Sequence, residues 1–340
     1  MAEMPYNEIL RNVISQRDLS REQAHLAFGQ IMDGQWTEAQ IGGFLAALAT
    51  KGETSDEIAG AAQAMREHVV PIETAGADVI DTCGTGGTGL PTFNISTAAA
   101  IVAAAAGVKV AKHGNRTNTR ASGSADVLVA LGVNIEAAPA IVARCLLEAN
   151  VCFCFAVKHH PAMKYAVPVR KQLGVRTIFN VLGPLTNPAG AKRQLLGVFD
   201  GSLAQRLAEV LAKLGAVRAM VVHAADGLDE LSTISETTIA DLRGGQVTTR
   251  CVRPEDFGLP RAKMDDLLVA SPAESAAVIR DVLSGTKGPA RDIVILNAAA
   301  ALAVAEKTDA IAAGLALAAA AIDQGAARRT LDQLISLSNA

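Results

Sequence analysis

Aromatic side chains are scarce in this chain: they make up 3% of 340 residues, with one Trp, two Tyr and eight Phe. Surfaces that bind single-stranded nucleic acid interleave aromatic with basic side chains. The basic excess is missing as well. Lys and Arg total 31 against 34 Asp and Glu, a formal net charge of −3, so no nucleic-acid partner is expected. Long apolar runs are lacking too. The longest, Ala310 to Ile322, falls short of the roughly 20 residues that span a bilayer core, so no membrane partner is expected either. Met1 to Leu10 carries Glu3, Asn7 and Glu8 and no basic stretch, unlike a secretory signal.

Cysteines are few and odd in number: Cys83, Cys145, Cys152, Cys154 and Cys251. Without a secretory signal, that count points to reduced thiols in a cytoplasmic protein. Cys152 and Cys154 lie two apart in a strand-like run. No second Cys/His pair has zinc spacing, so they read as small apolar side chains on one face of a buried strand.

Hydrophobic residues are 50% of the chain, mostly Ala, Val, Leu and Ile. That composition suits helices packed closely on a sheet, in one large domain plus a smaller one. Residues 1–75 read as helical. Three capping boxes punctuate them: Ser20 with Gln23, Thr37 with Gln40 and Thr54 with Glu57. From about residue 77, apolar strand-like runs alternate with helical ones. Strands are expected at 77–82, 108–112, 133–135, 151–156, 195–199 and 218–223. Helices are expected at 96–106, 124–131, 139–150, 161–173 and 203–214. Such alternation implies parallel strands with crossover helices. Residues 174–190, with Gly183-Pro184 and Asn187-Pro188, read as turns. Short strands around a Gly244-Gly245 turn and four final helices complete the chain. The fold class is therefore α/β: a small all-helical domain plus a larger α/β domain with a mostly parallel central sheet flanked by helices. The helical domain is assigned to 1–75 and the α/β domain to 76–340.

Four constellations carry chemistry. Gly84-Thr85-Gly86-Gly87-Thr88-Gly89 stands between a strand and a helix start. Glycines let backbone N–H groups approach a ligand, and the helix N-terminus behind them adds partial positive charge, which together suit phosphate. Asn94, Ser96 and Thr97 add side-chain donors at that helix start. A tight strand-to-helix corner needs fewer of these features. Next, Lys112-His113-Gly114-Asn115-Arg116 lies at the carboxyl end of the following strand, where α/β sheets bind ligands. Its cations and amide suit an anion, although a solvated loop is the plainer reading of that run alone. Third, Asp229-Glu230 follows another strand and suits Mg²⁺ completed by substrate phosphates and water; an exposed acidic turn is the commoner meaning of such a pair. Last, Lys158-His159-His160-Pro161 is followed one helix later by Arg170-Lys171. Neighbouring His side chains diverge, so metal binding is not expected there, while Arg170 can clamp a carboxylate.

These constellations, in this order, resemble the anthranilate phosphoribosyltransferase family of tryptophan biosynthesis over nearly the whole chain. The resemblance extends to Phe93-Asn94-Ile95-Ser96-Thr97, Ser122-Gly123-Ser124-Ala125-Asp126, His160-Pro161-Ala162-Met163, Arg176-Thr177-Ile178-Phe179-Asn180 and Leu182-Gly183-Pro184-Leu185-Thr186-Asn187-Pro188. It implies a cytoplasmic homodimer whose helical domain is joined by residues 162–188. It implies two small-molecule substrates, phosphoribosyl pyrophosphate (PRPP) and anthranilate, with Mg²⁺. By that resemblance, Gly84, Gly87, Thr88, Thr92, Asn94, Ser96, Thr97, Lys112, Arg120 and Ser124 hold PRPP. Gly84, His113, Asn115, His160 and Arg170 line the path of anthranilate. Ser96, Asp229 and Glu230 reach the metal, and Lys112, Asn115 and Arg170 carry the catalysis. The chain departs from the family at Thr88, where the family mostly has Asp, and at Thr119-Arg120-Ala121, where it has a serine pair and then a basic residue. A pyrimidine-nucleoside phosphorylase, a PRPP transferase with another acceptor, and a catalytically silent paralogue are the alternatives.

Overall fold

The computed structural model describes residues 5–116 and 121–340. The chain opens with four helices, α1 (Tyr6–Ile14), α2 (Arg21–Met32), α3 (Glu38–Lys51) and α4 (Ser55–Glu67). Each of the three expected capping boxes is formed. Ser20, Thr37 and Thr54 accept from the N–H three residues on, and Gln23, Gln40 and Glu57 return the bond. These bonds satisfy helix-end donors that would otherwise be orphaned. Apolar residues at helical spacing, such as Ile41, Phe44, Leu45 and Leu48, then face inward and are buried.

The α/β part runs β1 (Val79–Asp81), α5 (Ile95–Ala105), β2 (Lys109–Gly114), α6 (Ser124–Leu131), α7 (Pro139–Ala149), β3 (Val151–Phe155), α8 (Ala156–His159), α9 (Val167–Leu173), α10 (Phe179–Leu182), β4 (Arg193–Gly197), α11 (Leu203–Lys213) and β5 (Arg218–Ala224). A hairpin follows, β6 (Thr237–Arg243) and β7 (Gln246–Val252), turned by Gly244 and Gly245 at positive φ. Helices α12 (Pro272–Leu283), α13 (Pro289–Val304), α14 (Ile311–Asp323) and α15 (Ala326–Ser338) close the chain. The sheet order is β3-β2-β1-β4-β5-β6-β7. The pairings among β1–β5 are parallel, and β6 pairs antiparallel with both β5 and β7.

Alternation along the strands splits the core in two. Leu195, Met220, Val222 and Ile239 face the cluster containing α5, α13 and α15. Leu196, Ala219, Val221 and Ala240 face the cluster that holds α11 and the four N-terminal helices. A period of two places successive side chains on opposite faces. Val169, Ile178, Phe179 and Leu182 pack in that second cluster, far along the chain from α2, and the Phe179 ring meets Phe28 edge-on at 5.6 Å.

Three local expectations are corrected. Residues 133–135 form no strand: Asn134 N–H donates to Ser338 Oγ, and the Asn134 amide oxygen turns the chain by accepting from Glu136 N–H. Residues 161–173 are two pieces, a 3₁₀ turn at Pro161–Tyr165 and then α9. Pro168 starts the second piece well because its missing N–H is not needed at a first turn. Residues 174–190 are not all turns, since α10 and the 3₁₀ turn Gly183–Leu185 lie within them.

The chain leaves β1 toward β2 and returns from β3 to β4 on the other side of β1. The strand order therefore reverses between β1 and β4, and ligands of open α/β sheets bind outside the carboxyl ends at such a point.

Candidate active site

The carboxyl end of β1 leads directly into the glycine turn. Gly86, Gly87 and Gly89 have φ of +62°, +80° and +74°, a region that side chains with a Cβ rarely adopt. At Gly84 the requirement is space: a Cβ would lie 2.6 Å from Asp229 Oδ2. The turn is pinned to β4, because Thr85 N–H donates to Gly197 O at 2.8 Å and Thr85 Oγ1 accepts from Phe199 N–H at 3.1 Å.

Lys112 rises from β2 into this corner and is 3% exposed. Its ammonium donates to Thr82 O at 2.7 Å and to Ser96 Oγ at 3.2 Å. Burial lowers its pKa, while Asp81, Glu230 and Asp229 act in the opposite direction. Asp81, at the end of β1, is fully buried. Its carboxylate accepts from Asn187 Nδ2 at 2.7 Å and from His113 N–H at 3.1 Å. Burial raises its pKa against those bonds and the Lys112 charge.

Thr82, Ser96, Asp229 and Glu230 line one small space beneath the turn. Thr82 Oγ1 is enclosed there with no hydrogen-bond partner among the described residues. Hydroxyl and carboxylate oxygens suit a hard divalent cation. Among the described residues no group of three or more His, Cys, Asp or Glu could hold a metal by itself. The donor set therefore fits an ion whose coordination is completed by ligand phosphates and water.

Beside this corner opens a cavity of about 600 Å³. All five residues assigned to the anthranilate path line it: Gly84, His113, Asn115, His160 and Arg170. Apolar Met163, Val167, Pro168 and Phe179 line it too, together with polar Arg116, Lys164 and Asn180. The Arg170 guanidinium lies over the Phe179 ring at 5.3 Å, and burial lowers its pKa. His113 Nδ1 sits 3.0 Å from Gly183 O, and His113 Nε2 lies 3.2 Å from His160 Nε2. A carbonyl oxygen only accepts, so Nδ1 of neutral His113 carries the proton and its Nε2 is an acceptor. The His160 Nε2–H then donates to it, which leaves His160 Nδ1 as a bare acceptor. Burial pushes the His113 pKa down to about 3, with His160 adding to the shift. Burial likewise takes His160 down to about 4.

The other assigned residues are distributed around the corner. Asn94 serves as a tie: its Oδ1 accepts from Ser122 Oγ at 2.7 Å and Ser275 Oγ at 2.8 Å, and its Nδ2 donates to Ser122 O at 3.2 Å. Ser124 begins α6 and donates to Asn115 O at 3.3 Å. Thr88 Oγ1 accepts from Leu90 N–H within the turn. Thr92 and Thr97 are 2% and 1% exposed, and their hydroxyls have no hydrogen-bond partner among the described residues. Thr97 and Lys112 share a small void with apolar Ile101, Leu128 and Leu334 rather than the large cavity. Arg120 lies outside the described residues.

Sequence reasoning missed Thr82, Asp81 and Asn187. Thr82 had a signal in its place between strand and turn. Asn187 stood in the Leu182–Pro188 run of the resemblance, but its setting beside Pro188 reads as turn chemistry, while its side chain crosses to Asp81 and Ala111 O.

Comparisons with known proteins point to one family. Residues 7–69 match the model of the glycosyl transferase family helical bundle domain, and residues 76–328 that of its a/b domain. An anthranilate phosphoribosyltransferase of Thioalkalivibrio sulfidiphilus is 52% identical over 335 residues, 98% of this chain and 99% of that protein. The crystal structure of the Thermus thermophilus anthranilate phosphoribosyltransferase superposes with a TM-score of 0.93 at 42% identity, covering 98% of this chain and 99% of the other. The Saccharomyces cerevisiae enzyme in complex with PRPP and Mg has a TM-score of 0.89 at 29% identity, covering 98% of each chain. On fold, site geometry and full-length identity together, the chain belongs to the anthranilate phosphoribosyltransferases of the glycosyl transferase family.

Proposed function

We propose that this protein transfers the 5-phosphoribosyl group of PRPP to the amine of anthranilate, giving N-(5-phosphoribosyl)anthranilate and pyrophosphate in a Mg²⁺-dependent reaction. The observation that carries this reading is a single juxtaposition. A cavity of about 600 Å³, lined by apolar residues, Arg170, two neutral histidines and further polar side chains such as Asn115 and Asn180, opens beside the buried Lys112, Asp229 and Glu230 and the half-buried Ser96.

The reaction forms a bond from the amine nitrogen to ribose C1 and breaks the bond from C1 to the diphosphate oxygen, which keeps the electron pair. The amine then gives up one proton. An aryl amine is already neutral at pH 7, so the demand falls on the leaving group and on alignment. Mg²⁺, held by Ser96, Asp229 and Glu230, would neutralise charge on the diphosphate. Lys112 and the N–H groups of the glycine turn stabilise the charge that develops on the leaving oxygen. Gly87, Thr88, Thr92, Asn94, Thr97, Arg120 and Ser124 hold the rest of PRPP. Arg170 takes the anthranilate carboxylate, and Asn115 with the histidine pair orients the ring. Alignment of this kind can contribute up to roughly 7–11 kcal/mol.

Residues 1–75 joined by 162–188 form the helical unit that carries Arg170, and 76–340 form the unit that carries the PRPP site. Closure of one on the other joins the two half-sites. The working form is a cytoplasmic homodimer.

Two variants test the assignment. Lys112→Ala lowers kcat/KM at least about a hundredfold, as loss of a charge-stabilising donor does. Arg170→Ala raises KM for anthranilate far more than KM for PRPP. Near-normal kcat/KM in the first variant would contradict the role of Lys112 at the leaving group. Equal KM changes in the second would contradict the carboxylate clamp.

A further inference from the structure

Arg176 lies between α9 and α10, on the same segment as Arg170, and reaches across to the glycine turn. Its Nη2 donates to Gly87 O at 2.9 Å. Its guanidinium lies over the Phe199 ring, with Cζ 3.9 Å from the centroid. The Asp200 carboxylate feels the Arg176 charge, which helps hold its pKa low behind the larger effects of its bonds to Ser202. The bond to Gly87 O and the contact with Phe199 therefore hold one side chain that none of the substrate roles above uses.

The peptide group explains what this does. In a trans peptide the C=O and the following N–H point in opposite directions. Turning Gly87 O toward Arg176 directs the Thr88 N–H away from it. It also keeps a carbonyl oxygen, with its partial negative charge, from facing an anion. Gly86, Gly87 and Gly89 all sit at positive φ, where glycine crosses easily between conformations. An external tie is what selects one of them.

We propose that Arg176 is a positioning residue for the phosphate cradle. It pins the Gly87–Thr88 peptide so that its N–H, not its carbonyl, serves the diphosphate of PRPP, and Phe199 is the platform that orients it. The tie also links the segment bearing the acceptor clamp Arg170 to the donor half of the site. This role rests on the assignment of PRPP to the glycine turn.

The experiment uses the full chain with Arg176→Ala, Arg176→Lys and Phe199→Leu. KM for PRPP and KM for anthranilate are measured separately at saturating Mg²⁺ by anthranilate fluorescence. The melting temperature is measured with and without PRPP and Mg²⁺. Arg176→Ala raises KM for PRPP roughly tenfold, the scale of a lost charge-assisted bond, and leaves KM for anthranilate within about twofold. Arg176→Lys recovers part of the loss, since an ammonium can reach Gly87 O but cannot stack flat. Phe199→Leu gives a smaller rise in the same constant. PRPP with Mg²⁺ raises the melting temperature of Arg176→Ala less than that of the wild type. An unchanged KM for PRPP, equal changes in both KM values, or identical Ala and Lys variants would overturn the proposal. If the wild type is stabilised by PRPP but consumes no anthranilate, the acceptor reading fails, and the Arg176 role is decided by the stabilisation alone. If PRPP with Mg²⁺ does not stabilise the wild type, both fail.

Discussion

His113 and His160 illustrate how burial and one carbonyl decide a proton's location. Gly183 O fixes the tautomer of His113, and His113 fixes that of His160. The pair stays neutral because its pKa values are about 3 and about 4. An unfolded histidine takes up its proton near pH 6.5, so the pair's contribution to stability is present above that pH. It is lost as pH falls from there toward about 4 for His160 and about 3 for His113, because over that range only the unfolded chain binds the protons. Between pH 7 and pH 5 the loss is about 2 kcal/mol for each histidine. Urea unfolding at both pH values checks this: a His113→Gln, His160→Gln double variant has a shallower pH dependence than the wild type, and an equal dependence would contradict it. Both histidines were visible in the sequence as part of short polar runs. Their contact was not, because β2 and α8 are brought together only by the parallel pairing of β2 with β3.

At the scale of elements, the strand-to-helix corner after β1 is the unit that builds the site. Its glycine composition was legible in the sequence, since four glycines in Gly84–Gly89 between a strand and a helix have few other uses. The reason for each glycine was not, because Gly84 answers to Asp229, far along the chain. Gly84→Ala brings a Cβ 2.6 Å from Asp229 Oδ2 and displaces the carboxylate beside the cation space. The overpacking costs roughly 1–3 kcal/mol. Thermal melting falls accordingly, and the Mg²⁺ concentration for half-maximal activity rises. Wild-type melting together with wild-type Mg²⁺ dependence would contradict that account. The capping boxes of α2, α3 and α4 were legible because their chemistry is local. The short α10 was not: its four residues are too few for periodicity to emerge, and its place depends on packing of Phe179 and Leu182 against the N-terminal helices.

At the scale of the whole molecule, one sheet separates two cores, and the order of its strands reverses between β1 and β4. That reversal opens the crevice in which donors from five segments converge: the glycine turn, the end of β2, α8 with His160, α9 with Arg170, and the Asp229-Glu230 loop. The α/β class could be read from alternation along the chain. The strand order could not, because an apolar run carries no record of its neighbours. The central claim is that these segments together form one transferase site. The most direct test follows the fluorescence of anthranilate after addition of PRPP, with Mg²⁺ varied. The account predicts that anthranilate is consumed with release of one pyrophosphate per molecule, that removal of Mg²⁺ abolishes consumption, and that Asp229→Asn with Glu230→Gln does the same. Consumption that persists without Mg²⁺, or no consumption with both substrates and the ion present, would contradict it.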